Sequence, residues 1–119
     1  MRVGIIGSRK FQSSISVQSL VGKLPQDSII VSGGCTGPDS WAEEAARAAG
    51  LKVSIFLPDL PPKDSPRHLF TKAFYARNRL IAENSDIIHA FVSPDRKGGT
   101  EYTIKYAHKI NIPVVIHTS

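Results

Sequence analysis

Five short apolar runs, each followed by a stretch patterned for a helix, constrain this chain more than any other feature. The runs are VGIIG (Val3–Gly7), SIIVS (Ser28–Ser32), KVSIFL (Lys52–Leu57), DIIHAFV (Asp86–Val92) and PVVIHT (Pro113–Thr118). Their β-branched residues come without strict alternation, as expected of strands covered on both faces in a parallel sheet. Between them, Ser14–Leu24 sets Val17, Leu20, Val21 and Leu24 on one helical face, and Pro38–Ala49 carries Trp41, Ala45, Ala48 and Ala49 at helical spacing. Pro38 suits a first turn there and Gly50 a C-terminal stop. Ala73–Asn84 groups Phe74, Arg77 and Ile81, and Thr100–Ile110 brings Ile104, Ala107 and Asn111 together. Alternation of this kind predicts an α/β fold: a three-layer sandwich around a mainly parallel five-stranded sheet, with right-handed crossovers.

One segment breaks the rhythm. Pro58–Phe70 holds four of the eight prolines and little periodicity. It reads as a long loop, either a lid or binding loop or a plain surface excursion.

At 119 residues the chain is expected to form one domain, residues 1–119. With 41% hydrophobic and 21% charged residues, its composition is that of a soluble globular protein. No apolar run approaches the roughly 20 residues of a membrane span, and the first residues hold too short an apolar segment for a signal peptide. No membrane partner is expected, and a cytoplasmic location follows. Cys35 is the only cysteine, which excludes an intrachain disulfide and a Cys-cluster metal site. The four histidines share no ligand spacing, so no metal site is assigned; His89 and His117 read as packed or edge residues within strands. A net charge of +5 and a pI of about 9.6 favour acidic partners, nucleotides or nucleic acid. The cations form no block, however, and the densest cluster is Arg96-Lys97.

In open parallel sheets, ligands sit beyond the carboxyl ends of the strands. Three strand-to-helix turns fall on that edge: GSRKF after the first strand, GGCTGPD after the second and SPDRKGGTE after the fourth. Gly33 and Gly34 are able to adopt φ > 0 and lack a Cβ, so a bulky group can lie on their N–H groups. The helix starting near Pro38 aims its positive dipole end at the same place, an arrangement that fits a phosphate. Gly98, Gly99 and Thr100 repeat the device. Taken alone, either turn is equally a tight connection with Thr36 or Thr100 as a cap. Neither a Gly-Lys-Ser/Thr phosphate loop nor a GxGxxG fingerprint is present.

Arg77 shares its helical face with Phe74 and Ile81 and should point inward, where a guanidinium needs an anion: a ligand phosphate or a carboxylate. Asp39 and Glu101, both just inside helix starts, are the candidate carboxylates, although an acid in a first turn is also favourable with the dipole alone. Cys35 reads as a small half-buried loop residue, although a thiol near a helix start is open to a lowered pKa. Trp41 is assigned to the core. Tyr75 and Phe74 are candidates to stack on a base, with Phe74 assigned to the core by preference.

The segments VGIIGSRKF, VSGGCTGPDSWAEEAARAAG, ARNRLIAENSDIIHAFV and KGGTEYTIKYAHKINIPVVI together resemble the SLOG superfamily, nearest its small YspA/YpsA-related branch. The resemblance covers nearly the whole chain in motif order. It implies a Rossmann-like fold and a nucleotide or nucleotide-derived ligand at the glycine turns. RNRLIAENSD with SGG and GSR is similar to DNA-processing protein A, which implies single-stranded nucleic acid as another ligand. The spacing from Arg77 to Ser85-Asp86 before a GGT turn is similar to the Lonely-guy phosphoribohydrolases, which cleave the N-glycosidic bond of nucleoside monophosphates with an arginine and a glutamate. Arg77 falls on that arginine, whereas Glu101 follows Thr100 directly, one residue early. The expected ligand-binding set is Gly7, Ser8, Arg9, Gly33, Gly34, Gly37, Arg77, Asn78, Gly98, Gly99 and Thr100. Glu101 or Asp39 would be the catalytic acid if the chain is a hydrolase. No cofactor is implied, and relatives of the fold imply a homodimer formed through an apolar helix face.

Overall fold

The computed structural model describes residues 1–118; Ser119, the last residue of the expected domain, lies outside them. The elements run β1 (Arg2–Gly7), α1 (Ser14–Gly22), β2 (Ile29–Ser32), α2 (Pro38–Ala48), β3 (Lys52–Ile55), α3 (Arg67–Glu83), β4 (Ile87–Phe91), α4 (Gly99–Lys109) and β5 (Val114–His117). The strands form one sheet in the order β3-β2-β1-β4-β5, and every neighbouring pair is parallel. The expected Rossmann-like α/β sheet is therefore present, and wholly parallel.

Alternate side chains of the central strands feed two separate cores, which is why their sequences lack a polar face. Val3, Ile5, Ile30 and Phe91 pack with Val17 and Val21 of α1 and Ala42 and Ala46 of α2. On the opposite face, Ile6, Val31, Ile88, Ala90 and Val92 meet Ile81 and Ala82 of α3 and Ile104 and Ala107 of α4. The chain leaves β1 toward β2 and β3 under α1 and α2, then crosses by α3 to β4 and leaves in the other direction. The switch point lies between β1 and β4, so a crevice opens there at the carboxyl ends of the strands. Among the described residues no helix is long and apolar enough to cross a membrane.

One local feature differs from expectation, and a second links two strands. First, α3 begins at Arg67, so the proline-rich connection stops short of the expected loop end at Phe70. Pro66 takes the cap position with φ −57° and ψ 149°, and the first turn has neither a capping side chain nor an acidic residue. The usual start signals are thus missing from a genuine helix. Second, the two strand histidines meet: His89 Nδ1 lies 2.9 Å from His117 Nε2 across β4 and β5, and the His117 ring stacks on Phe91. Burial, together with the charge each ring would place beside its neighbour, holds the His89 pKa below its usual value.

The close fit of β1 against α2 yields a test. A Cβ on Gly7 would lie 2.5 Å from Pro38 Cγ and 2.6 Å from Pro38 Cβ, atoms of a rigid ring in the first turn of α2. Gly22, the last residue of α1, has no atom within 4 Å of the corresponding point. Gly7→Ala is expected to destabilise the fold by about 1–3 kcal/mol through overpacking, and Gly22→Ala to stabilise it by up to about 1 kcal/mol. Urea denaturation of the two variants beside the parent checks the opposite signs.

Candidate functional site

A cleft of about 700 Å³ occupies the switch point. Its walls are the β1–α1 turn, the β2–α2 turn, α3 from Arg67 to Ile81, and the β4–α4 turn with the start of α4. Of the expected residues, Gly7, Ser8, Arg9, Asp39, Arg77, Asn78, Gly98, Gly99 and Thr100 line it, whereas Gly33, Gly34, Gly37 and Glu101 stand outside the lining.

The β2–α2 turn is organised by the protein's own charges. The N–H groups of Gly33 and Cys35 both donate to Asp39 Oδ2, at 3.2 and 3.3 Å. The Gly33 carbonyl accepts from Arg77 Nη1 at 2.6 Å, while Nη2 reaches Cys35 Sγ at 3.3 Å and Nε reaches Asn78 Oδ1 at 2.8 Å. A Cβ on Gly33 would lie 2.6 Å from Arg77 Nη1 and 3.1 Å from Asp39 Oδ2. The bare backbone at Gly33 thus makes room for an internal guanidinium and an internal carboxylate. Of the adjacent pair, only Gly34 has positive φ, at 72°, which puts the left-handed requirement on the second glycine alone.

Arg77 does point inward, as its helical face predicted, and only 6% of it is exposed. Its expected anion is replaced by a carbonyl, a thiol and an amide. Asp39 lies close enough to feel its charge without a direct ion pair among those found in the described residues.

The two candidate acids separate sharply. Asp39 lines the cleft but is only 6% exposed. Burial pushes its pKa up from 3.8 to about 6, against the opposing pull of the Cys35 and Gly33 N–H groups and of Arg77. Glu101 instead takes a two-pronged ion pair from Arg96, with Nε to Oε2 at 2.7 Å and Nη2 to Oε1 at 3.0 Å. The one-residue shift of Glu101 relative to the hydrolase pattern thus coincides with a side chain turned to the loop before α4.

Both α2 and α4 start at a glycine of positive φ, Gly37 at 90° and Gly98 at 98°, and no side chain caps either helix. The two starts differ in that α2 begins with Pro38, which has no N–H, and that Gly37 stands outside the cleft lining. Gly98, Gly99 and Thr100 face the cleft, so the free N–H groups of the first turn and the positive end of the helix dipole open onto it. Asn78 sits against this turn: its Nδ2 would be 3.3 Å from a Cβ on Gly99. Arg9 and Lys97 line the same region and take part in neither ion pair found among the described residues.

Several lining residues carried no motif. Asp95 ties two turns together, accepting from Lys10 Nζ at 2.8 Å, Ser93 Oγ at 2.5 Å and the Lys97 N–H at 3.3 Å. The bonds from Lys10 and Ser93 draw the Asp95 pKa down to about 2. Arg67, Phe70 and Thr71 also line the cleft, from helix turns expected to be loop or to lie at its margin. Phe74 is corrected from core to cleft wall, with 37% of it exposed. Tyr75 is stacked on Tyr102, with ring centres 4.0 Å apart and planes 5° from parallel. Trp41 packs against the α1–α2 core as expected.

No protein-family model matches the sequence, and no curated protein does. Among solved structures, the chain is similar to DNA processing protein A (DprA) from Streptococcus pneumoniae, with a TM-score of 0.75 and 23% identity over 97% of this chain and 49% of that one. The chain thus spans about half the length of that protein, and the likeness establishes a shared fold.

Asp39 gives a pH signature. A carboxyl raised from 3.8 to about 6 binds more protons folded than unfolded between those values, so it lowers stability as pH rises through that window. Asp39→Asn keeps an oxygen for the two N–H groups and removes the charge. The variant is expected to gain on the parent from about pH 4 upward, by as much as about 3 kcal/mol at pH 7. Urea denaturation across pH checks it; a difference that stays constant with pH contradicts the assignment.

Proposed function

We propose that the cleft binds a phosphate-bearing ligand of the nucleotide class, with the phosphate on the first turn of α4. The observation that carries this reading is the uncapped helix start at Gly98–Thr100, opening into a cleft that also holds Arg9 and Lys97. Free N–H groups and the positive helix end favour an anion there, and the two cations add charge without a rigid geometry of their own. Arg77 acts from behind: it holds the β2–α2 turn in place and does not reach for the phosphate. Membership of the SLOG superfamily, in its YspA/YpsA-related branch, is our reading of the motifs; the fold shared with DprA supports the superfamily.

A second reading, single-stranded nucleic acid, has its own support. Arg67 extends the cations of the cleft beyond the α4 turn, and the fold is shared with a protein named for DNA processing. Hydrolysis of an N-glycosidic bond has a narrower basis, because Asp39 is the only one of the two candidate acids in the cleft. In that reaction Asp39 would be the proton-transfer group, and loss of base release in Asp39→Asn would assign it.

Thr100→Asp tests the phosphate site with opposite signs in two measurements. A carboxylate in the first turn favours the helix and repels a phosphate placed there. Thermal stability should hold or rise, while affinity for adenosine 5′-monophosphate falls about tenfold or more. Unchanged affinity would remove the phosphate from α4. For the nucleic-acid reading, log affinity for an oligothymidylate should fall with log salt at about −0.7 per phosphate bound, so a slope no steeper than that of a mononucleotide excludes an extended strand.

A further inference from the structure

Eight residues of α3 line the cleft, among them Arg67, Phe70, Thr71, Phe74, Tyr75 and Asn78. Their spacing of three and four makes them one helical stripe. Within it the aromatic rings are in different situations. Tyr75 has a face covered by Tyr102. Phe74 is 37% exposed in a concave site and has the Arg77 guanidinium 5.8 Å from its ring centre. Phe70 follows one turn further out. An exposed large aromatic inside a cleft is the informative exception to apolar burial, and here the helix that carries it is tied to the proposed phosphate site.

The tie is Asn78. Its amide sits against Gly99, while its Oδ1 accepts from Arg77 Nε. Phe74 lies four residues before Asn78, about 6 Å along the helix axis. α3 therefore works as a ruler from the α4 turn outward, with the phosphate end at Asn78 and an aromatic face one turn away. In a nucleotide, one ribose separates the phosphate from the base. The two polar side chains three residues either side of Phe74 are already engaged. All three donor groups of Arg77 have protein partners, and Thr71 Oγ1 faces its own helix, 3.4 Å from the Arg67 carbonyl.

We propose that Phe74, backed by Phe70, is the platform on which the ligand's base stacks, so that the cleft selects nucleotides over phosphates lacking an aromatic ring and discriminates little among bases. The inference rests on the phosphate reading above and adds the recognition of the base. Stacking is tolerant of base identity because every base has a π face, and the ring offers no hydrogen bond to a base edge.

The test is calorimetric titration of the full chain with two probes, adenosine 5′-monophosphate and ribose 5-phosphate, in the parent, Phe74→Ala and Phe74→Trp. In the parent, the nucleotide should bind about tenfold more tightly than the sugar phosphate, the scale of one base–aromatic stack. Phe74→Ala should abolish that gap by weakening the nucleotide alone, and Phe74→Trp should keep it. Equal binding of the two probes by the parent, or a gap that survives Phe74→Ala, overturns the platform and leaves the phosphate site standing. Binding of neither probe overturns the phosphate site and the platform with it.

Discussion

A single buried guanidinium organises the geometry of this cleft. Arg77 rises from α3, away from water, into the β2–α2 turn. A charge in that position is destabilising unless hydrogen bonds surround it. The Gly33 carbonyl, the Cys35 thiol and the Asn78 amide supply them, with the Asp39 carboxylate close by. Two features of the turn follow. Gly33 is glycine because the guanidinium occupies the place of a side chain, and Asp39 turns back onto Gly33 and Cys35 because those N–H groups need an acceptor in the same small space. Arg77→Lys would leave part of this set without donors, since an ammonium lacks the planar fork.

The two glycine turns that look alike in the sequence therefore end up with different roles. At the start of α2, Pro38 removes one N–H, and Asp39 supplies an internal anion to the loop. That turn is closed by the protein itself. At the start of α4, the acid of the first turn, Glu101, is held by Arg96, whose φ of 52° marks a backbone bent into the left-handed region. The helix start is then left facing the cleft with its own N–H groups. The Lys10–Asp95 pair joins the β1–α1 and β4–α4 turns across the switch point.

The sheet, its parallel character, the edge on which the turns gather and the inward aim of Arg77 were all legible in the sequence, because each depends on residue pattern within one element. What was not legible depends on contacts between elements. In the sequence the GG pair reads as room for a ligand, but the group that needs the room at Gly33 lies 44 residues away in the chain. Phe74 reads as core from a shared helical face, yet that face passes from buried at Ile81, where it joins the core, to 37% exposed at Phe74, where it only lines the cleft. The first turns of α3 are not legible as helix because they bury little apolar surface and lack a cap. Arg67, Phe70 and Thr71 carry no signal of their own there. Asp95 had no motif at all; its role appears only when Lys10 is brought beside it.

The account's central claim is that the second glycine turn receives the ligand and the first does not. The most direct measurement is a ¹H–¹⁵N correlation titration of the full chain with adenosine 5′-monophosphate, followed at the backbone amides of both turns. The account predicts the largest shifts at Gly98, Gly99 and Thr100, with the Gly33 and Cys35 amides nearly still because Asp39 already holds them. The largest shifts at Gly33–Gly37, with the α4 start unmoved, would contradict it.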